Sequence, residues 1–197
     1  AGGLFAAIVA AKKGRKVLVL EKSNKVGKKI LMSGGGRCNF TNQFTAPENF
    51  ISKNNHFCIS ALSQYTAEDF IDMVQNHNIE YETRKHGQLF CINSAKDIVE
   101  MLVNECEIFG VKILTHATTS TIEYLEDKKV YELNTKIETK KDSYSLELRS
   151  SSLIVATGAL SVPTLGGSGY GYDVAKQFQL EVTKLQAGLV PFMFSDS

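Results

Sequence analysis

GLFAAIVAAKKGRKVLVLE, residues Gly3 to Glu21, decides how the rest of the chain is read. Leu4 to Lys13 is apolar and rich in alanine, which predicts a buried helix, and Gly14 supplies the residue that ends one. Lys16 to Glu21 is then a short, continuous apolar run closed by an acid. A run of that length beside helical patterns predicts a buried parallel strand. The unit is helix, turn, strand, acid.

Downstream, Asn24 to Asn42 is rich in glycine and reads mostly as loop, with a short helix around Lys28–Met32. Two capped helices follow. TAED sets Thr66 as N-cap with Asp69 three residues on, and SAKD repeats the device with Ser94 and Asp97. Gly110 closes the second helix, and VKILT (Val111–Thr115) is another strand. From Thr119 to Arg149 the texture alternates, as in Tyr144, Leu146 and Leu148 against Ser145, Glu147 and Arg149, which predicts an antiparallel meander. SLIVATG returns to the buried-strand texture, and a helix over Tyr172–Phe178 follows a glycine-rich loop. The order predicts an α/β fold: a Rossmann-like parallel sheet with an inserted antiparallel β-meander. The expected divisions are 1–118, the meander 119–150, a return to the first part over 151–187, and the start of a further, substrate domain at 188–197.

Bulk composition excludes several classes. Among 197 residues, 22 are basic and 21 acidic, so no overall charge draws the chain to polyanions, and no nucleic-acid partner is expected. The longest apolar run, Leu4–Ala11, is too short to span a bilayer. The four cysteines, Cys38, Cys58, Cys91 and Cys106, form no CxxC pair and no zinc-ligand spacing with histidine, so free thiols in a reducing cytoplasm and no metal are expected. The chain opens almost directly into a helix and stops after an apolar run, so both ends are expected to be cut from a longer protein.

Chemistry concentrates in SGGGRCNFTN, Ser33 to Asn42. Three adjacent glycines expose backbone N–H groups to a ligand at distances a Cβ forbids. Lys28, Lys29 and Arg37 add positive charge for a pyrophosphate or an anionic ring, and Asn39 and Asn42 both donate and accept. A strand ending in an acid, as at Glu21, is where a dinucleotide fold accepts hydrogen bonds from a ribose, and Gly3 sits where the last fingerprint glycine would be. Glu21 is equally an acid that simply follows a strand. Cys38 lacks a neighbouring thiol in sequence, which favours a structural or ligand-lining role over redox catalysis. GGSGYGYD (Gly166–Asp173) lacks the Gly-Lys-Ser/Thr ending of a phosphate loop. No histidine stands out as an acid or base, and no catalytic residue is assigned.

These segments, with LIVATGALSVPTLGGSGYGYDVAKQF and AGLVPF further on, resemble the bacterial BaiN-type family of NAD(P)/FAD-dependent oxidoreductases, flavoproteins of the glutathione-reductase-like, two-dinucleotide-binding superfamily. The resemblance covers nearly the whole chain, and SGGGRCNFTN is its most specific part. It implies FAD as cofactor, NAD(P)H as electron donor and a small organic substrate. Gly3 would belong to the pyrophosphate-binding turn and helix, and Glu21, with Lys22 beside it, would hold the adenosine ribose. Gly27, Lys28 and Lys29 would line the phosphate side. Ser33, Gly34, Gly35, Gly36, Arg37, Cys38 and Asn39 would run along the flavin end. Thr119 would meet adenine through its backbone, and Ala156, Thr157 and Gly158 would close over the cofactor. Two other readings stay open: a nicotinamide-only dehydrogenase, and a non-catalytic binding module on RNA supported by the basic cluster Lys22 to Lys29.

Overall fold

The computed structural model describes residues 1–162 and 166–187, which fall into two compact units, Ala1–Ala156 and the residues from Thr157 on. The expected start of a further domain at 188–197 lies outside the described residues. In the first unit the chain runs through α1 (Gly2–Lys12), β1 (Leu18–Leu20), α2 (Lys28–Met32), β2 (Asn39–Asn42), α3 (Ile59–Gln64), α4 (Ala67–Asn76) and β3 (Tyr81–Thr83). It continues through β4 (Gln88–Cys91), α5 (Ala95–Ile108), β5 (Lys112–Leu114), β6 (Ala117–Leu125), β7 (Val130–Glu138) and β8 (Ser143–Ser150). The second unit holds α6 (Tyr170–Gln177), which starts two residues before the predicted helix.

The opening helix stops as its sequence requires. Gly14 takes φ 76°, its N–H donates to Ala11 O at 2.8 Å, and Arg15 N–H donates to Ala10 O at 3.2 Å. Those paired bonds satisfy two of the last carbonyls of α1, a geometry open to glycine without a Cβ penalty. β1 then pairs in parallel with β5, Val19 opposite Ile113. Leu18 keeps 38% of its surface exposed, so this strand is half-covered rather than buried.

Both predicted capping boxes form. Asp69 N–H donates to Thr66 Oγ1 at 3.2 Å while Thr66 N–H donates to Asp69 Oδ2 at 2.6 Å. At α5, Lys96 N–H donates to Ser94 Oγ at 3.1 Å and Ser94 N–H to Asp97 Oδ2 at 3.2 Å. α5 is the central post. Its buried Ile98, Met101 and Leu102 share one core with Leu4 and Ile8 of α1, Ile30 of α2, and Cys38 and Cys91. Glu105 reinforces the α1 contact, 2.8 Å from Lys12 Nζ and 3.0 Å from His77 Nε2. The Lys12 ammonium, ahead of His77, holds its carboxyl below the usual range.

The antiparallel meander β6–β7–β8 forms where alternation predicted it, with Leu133 opposite both Ile122 and Leu148. Two further features differ from expectation. A second antiparallel sheet, in the order β2–β4–β3, takes its first strand from the end of the glycine-rich stretch that reads as loop. Conversely, Leu153–Gly158 forms no strand, and Ile154 and Val155 are 64% and 41% exposed. An apolar run becomes a buried strand only against a sheet edge, and no described strand pairs with this one.

Candidate functional site

The carboxyl end of β1 is tied to the entry of the meander. Glu21 N–H donates to Leu114 O at 2.8 Å, and Glu21 O accepts from Ala117 N–H at 3.0 Å. One carboxylate oxygen, Oε1, accepts from Ser23 N–H at 2.7 Å, and Ser23 O accepts from His116 N–H at 2.9 Å. The half-buried Glu21 is therefore held in one rotamer at a strand end. Lys22 beside it is exposed. Thr119 stands two residues beyond Ala117, its Oγ1 3.2 Å from the Oγ1 of the buried Thr135. Its hydroxyl is thus spent inside the meander. β6 is an edge strand, so alternate backbone groups along it point away from β7.

Gly3 lies in the first turns of α1, where a Cβ would stand 3.4 Å from Ala156 Cβ. That is ordinary contact, so glycine permits close approach there without being forced by it. Thr157 and Gly158 open the second compact unit, with Gly158 at φ 80°.

Gly27, at φ 77°, is the left-handed residue before α2, and Lys28 and Lys29 are the first two residues of that helix. A Cβ on Gly27 would lie 2.7 and 2.9 Å from the two γ-methyls of Val99 on α5. This glycine is therefore required by packing as well as by conformation.

The turn that follows is built almost entirely of left-handed residues. Gly34, Gly35, Gly36 and Cys38 have φ 55°, 67°, 87° and 50°. Ser33 Oγ donates to Ile30 O at 2.7 Å, and Cys38 N–H closes the turn on Ser33 O at 3.1 Å. The three glycines are not equivalent. A Cβ on Gly34 would stand 2.6 Å from the Phe90 ring and 2.9 Å from Asn39 N, whereas at Gly35 and Gly36 it would meet no atom of the described residues within 4 Å. The inner glycine is fixed by the protein; the outer two leave bare backbone facing open space.

The flanking side chains divide in the same way. Arg37 is exposed, with its guanidinium 3.7 Å from Glu82 Oε1. Arg84 holds that same oxygen at 2.7 Å and stacks its guanidinium 4.0 Å from the Phe90 ring centre. Arg84 takes the carboxylate, which leaves Arg37 the more loosely held charge. Asn39, oriented with its amide nitrogen toward backbone oxygens, donates to Thr41 O at 3.0 Å and Leu89 O at 3.2 Å. Cys38 and Cys91 are both buried. Burial pushes the Cys38 thiol up, opposed by the Ser33 hydroxyl, and burial followed by the nearby Cys38 pushes Cys91 up to about 12. Both stay protonated at neutral pH, which disfavours nucleophilic redox chemistry at this pair. Among the described residues no group of histidine, cysteine and acidic side chains is arranged to hold a metal.

Ser33 to Asn39 is therefore one contiguous cradle on the β2–β4–β3 sheet, and Glu21 with Ala117 is a second cluster at the end of β1. Sequence reading missed the support beneath the cradle, because Glu82, Arg84 and Phe90 come from β3, β4 and the turn between them, more than forty residues away. It also missed a recess beyond β2, lined by Asn42, Phe44, Phe50 and His86 among others. An exposed phenylalanine cannot be told from a core one in the string QFTAPENF.

Comparisons with known proteins bear on the family and the fold. The family described as "HI0933-like protein Rossmann domain" matches residues 1–194. The chain is 43% identical over 192 residues to the ribosomal RNA dihydrouridine synthase of Escherichia coli (strain K12), covering 98% of this chain and 46% of that protein. It is 24% identical over 192 residues to the 3-dehydro-bile acid delta(4,6)-reductase of Clostridium scindens, covering 96% of this chain and 44% of that one. The chain thus spans about half the length of the curated relatives it matches. Among solved structures it resembles Thermovibrio ammonificans THI4, with TM-score 0.50, 12% identity, and coverage of 90% of this chain and 59% of that one.

Proposed function

The chain belongs to the HI0933-like Rossmann-domain family, and we propose on that footing that it is the FAD-binding part of a flavin-dependent reductase whose substrate is a uracil base of ribosomal RNA. The observation that carries the cofactor reading is the outer side of the glycine turn. Gly35 and Gly36 hold left-handed backbone against open space, so their N–H groups and bare Cα atoms are available to a flat ring or a phosphate. Arg37, the loosely held cation beside them, would face the polar edge of that ring. Glu21, with one oxygen fixed by Ser23, would accept from a ribose hydroxyl through the other. Lys22 would lie beside that ribose, Gly3, Gly27, Lys28 and Lys29 would lie along the pyrophosphate, Thr119 would offer backbone to the adenine, and Ala156 would close over the cofactor.

Bound FAD supplies hydride transfer, with NAD(P)H as the donor in this proposal. The net reaction adds a hydride to one carbon of the uracil C5=C6 bond and a proton to the other, giving dihydrouridine and NAD(P)+. The substrate class rests on the name carried by the 43% identical relative, against 24% for the bile-acid reductase. The expectation of no nucleic-acid partner does not carry into this proposal. A formal charge of +1 argues against non-specific attraction to polyanions, not against recognition of particular bases. No helix of the described residues is long and apolar enough to cross a membrane.

The test is to incubate the purified full-length protein with unmodified ribosomal RNA and NADH or NADPH, then digest and weigh the nucleosides. Dihydrouridine that appears only with enzyme and reduced nicotinamide is the expected result. Oxidation of nicotinamide with no gain of hydrogen by the RNA would overturn the substrate, while leaving the flavin reading in place.

A further inference from the structure

The structure assigns a second subsite. We infer that the recess between Phe44, Phe50 and His86 receives an unpaired nucleobase flanking the target base, an inference that rests on the ribosomal RNA reading above. Phe44 and Phe50 are 71% and 47% exposed, although a phenylalanine ring ordinarily contributes by burial. They are also held in place. Phe44 N–H donates to Asn42 Oδ1 at 2.8 Å, and Asn42 Nδ2 donates to His86 O at 2.8 Å. Gln43 N–H donates to Gly87 O at 2.9 Å. The buried Gly87, at φ 75°, lacks the Cβ that would lie 2.5 Å from the Phe44 ring, so one part of the ring packs on bare backbone while the rest stays open. On the other side, Phe50 N–H donates to Pro47 O at 3.1 Å, and Ala46 N–H donates to Asn49 Oδ1 at 2.8 Å, which fixes the turn that presents Phe50.

The recess has a volume of about 390 Å³, within the range of small-molecule sites. Exposed aromatic rings lining a recess, with Asn42, Asn49 and His86 beside them, match the way proteins read splayed-out RNA bases by stacking. Lys85 and Lys53, both exposed and without an ion pair among the described residues, put positive charge on the flanking segments, where a phosphate backbone would run. The position fits a flanking base rather than the reacting one. β2 carries the chain from Asn39 to Asn42, roughly 10 Å of extended strand away from the glycine cradle, before the turn that holds Phe44.

The test uses the full-length protein and a fluorescently labelled single-stranded RNA copying an unpaired uridine-containing loop of ribosomal RNA. Phe44→Ala and Phe50→Ala should each weaken binding about 5- to 150-fold, the range expected for loss of one stacked base. Phe44→Tyr, which keeps the ring, should stay close to wild type. Flavin content and RNA-independent nicotinamide oxidation should not change. RNA binding by the alanine variants equal to wild type would overturn the subsite alone. So would Phe44→Leu restoring both thermal stability and RNA affinity lost in Phe44→Ala, because that result makes Phe44 a packing residue covered by another part of the protein. A flavin-containing wild type with no affinity for the RNA would overturn the RNA reading and this subsite together.

Discussion

Gly34→Ala is expected to lower the unfolding free energy of the full-length protein by about 2–4 kcal/mol and to strip it of flavin. Gly35→Ala is expected to cost only about 1–2 kcal/mol in stability and still to lose flavin. The two residues share a left-handed conformation, so both pay the cost of placing a Cβ at positive φ. Only Gly34 adds a collision, 2.6 Å from the Phe90 ring and 2.9 Å from Asn39 N. Phe90 cannot swing aside freely: it is 8% exposed and carries the Arg84 guanidinium on its face. Its displacement therefore disturbs β4 and the cradle together. At Gly35 a methyl group meets no atom of the described residues within 4 Å, so its effect falls on a ligand that approaches the turn. Urea unfolding monitored by circular dichroism, alongside bound flavin per chain, separates the two effects. Equal flavin retention in Gly35→Ala and wild type would remove the glycine turn from the cofactor site.

Gly27→Ala is expected to cost about 2–4 kcal/mol, and Val99→Ala introduced with it to recover part of that loss. A Cβ on Gly27 would press on both γ-methyls of Val99, at 2.7 and 2.9 Å. Valine on a helix has one strongly preferred rotamer, so rotating one methyl away is itself costly. Removing both methyls leaves only the conformational penalty at φ 77°. Net stability of a domain is typically about 5–15 kcal/mol, so the single variant should be visibly destabilised but still folded. Thermal melts of the four proteins in the cycle measure the coupling. Strict additivity would show that α2 and α5 do not meet at this point.

What the sequence made legible was local. Helix stops at Gly14 and Gly110, the Thr66–Asp69 and Ser94–Asp97 caps and the alternating meander each depend on residues within a few positions of one another. The β2–β4–β3 sheet was not legible. Its strands have four, four and three residues, β2 reads Asn-Phe-Thr-Asn, and its pairing with β4 spans almost fifty residues. Leu153–Gly158 failed in the opposite sense, since its apolar texture describes a strand only when an edge is there to receive it. In the site, the run of glycines marked the cradle. Their different duties, Gly34 against Phe90 and Gly35 and Gly36 against open space, follow from neighbours distant in sequence.

In the proposed function, the glycine cradle and the end of β1 belong to one FAD site. The most direct measurement is the absorbance spectrum of the purified full-length protein, with the released cofactor identified by mass and the bound form titrated anaerobically with NADH and NADPH. Flavin bands from one FAD per chain, bleached by one or both reduced nicotinamides, are the expected result. A protein that stays colourless after incubation with FAD and gel filtration would contradict it.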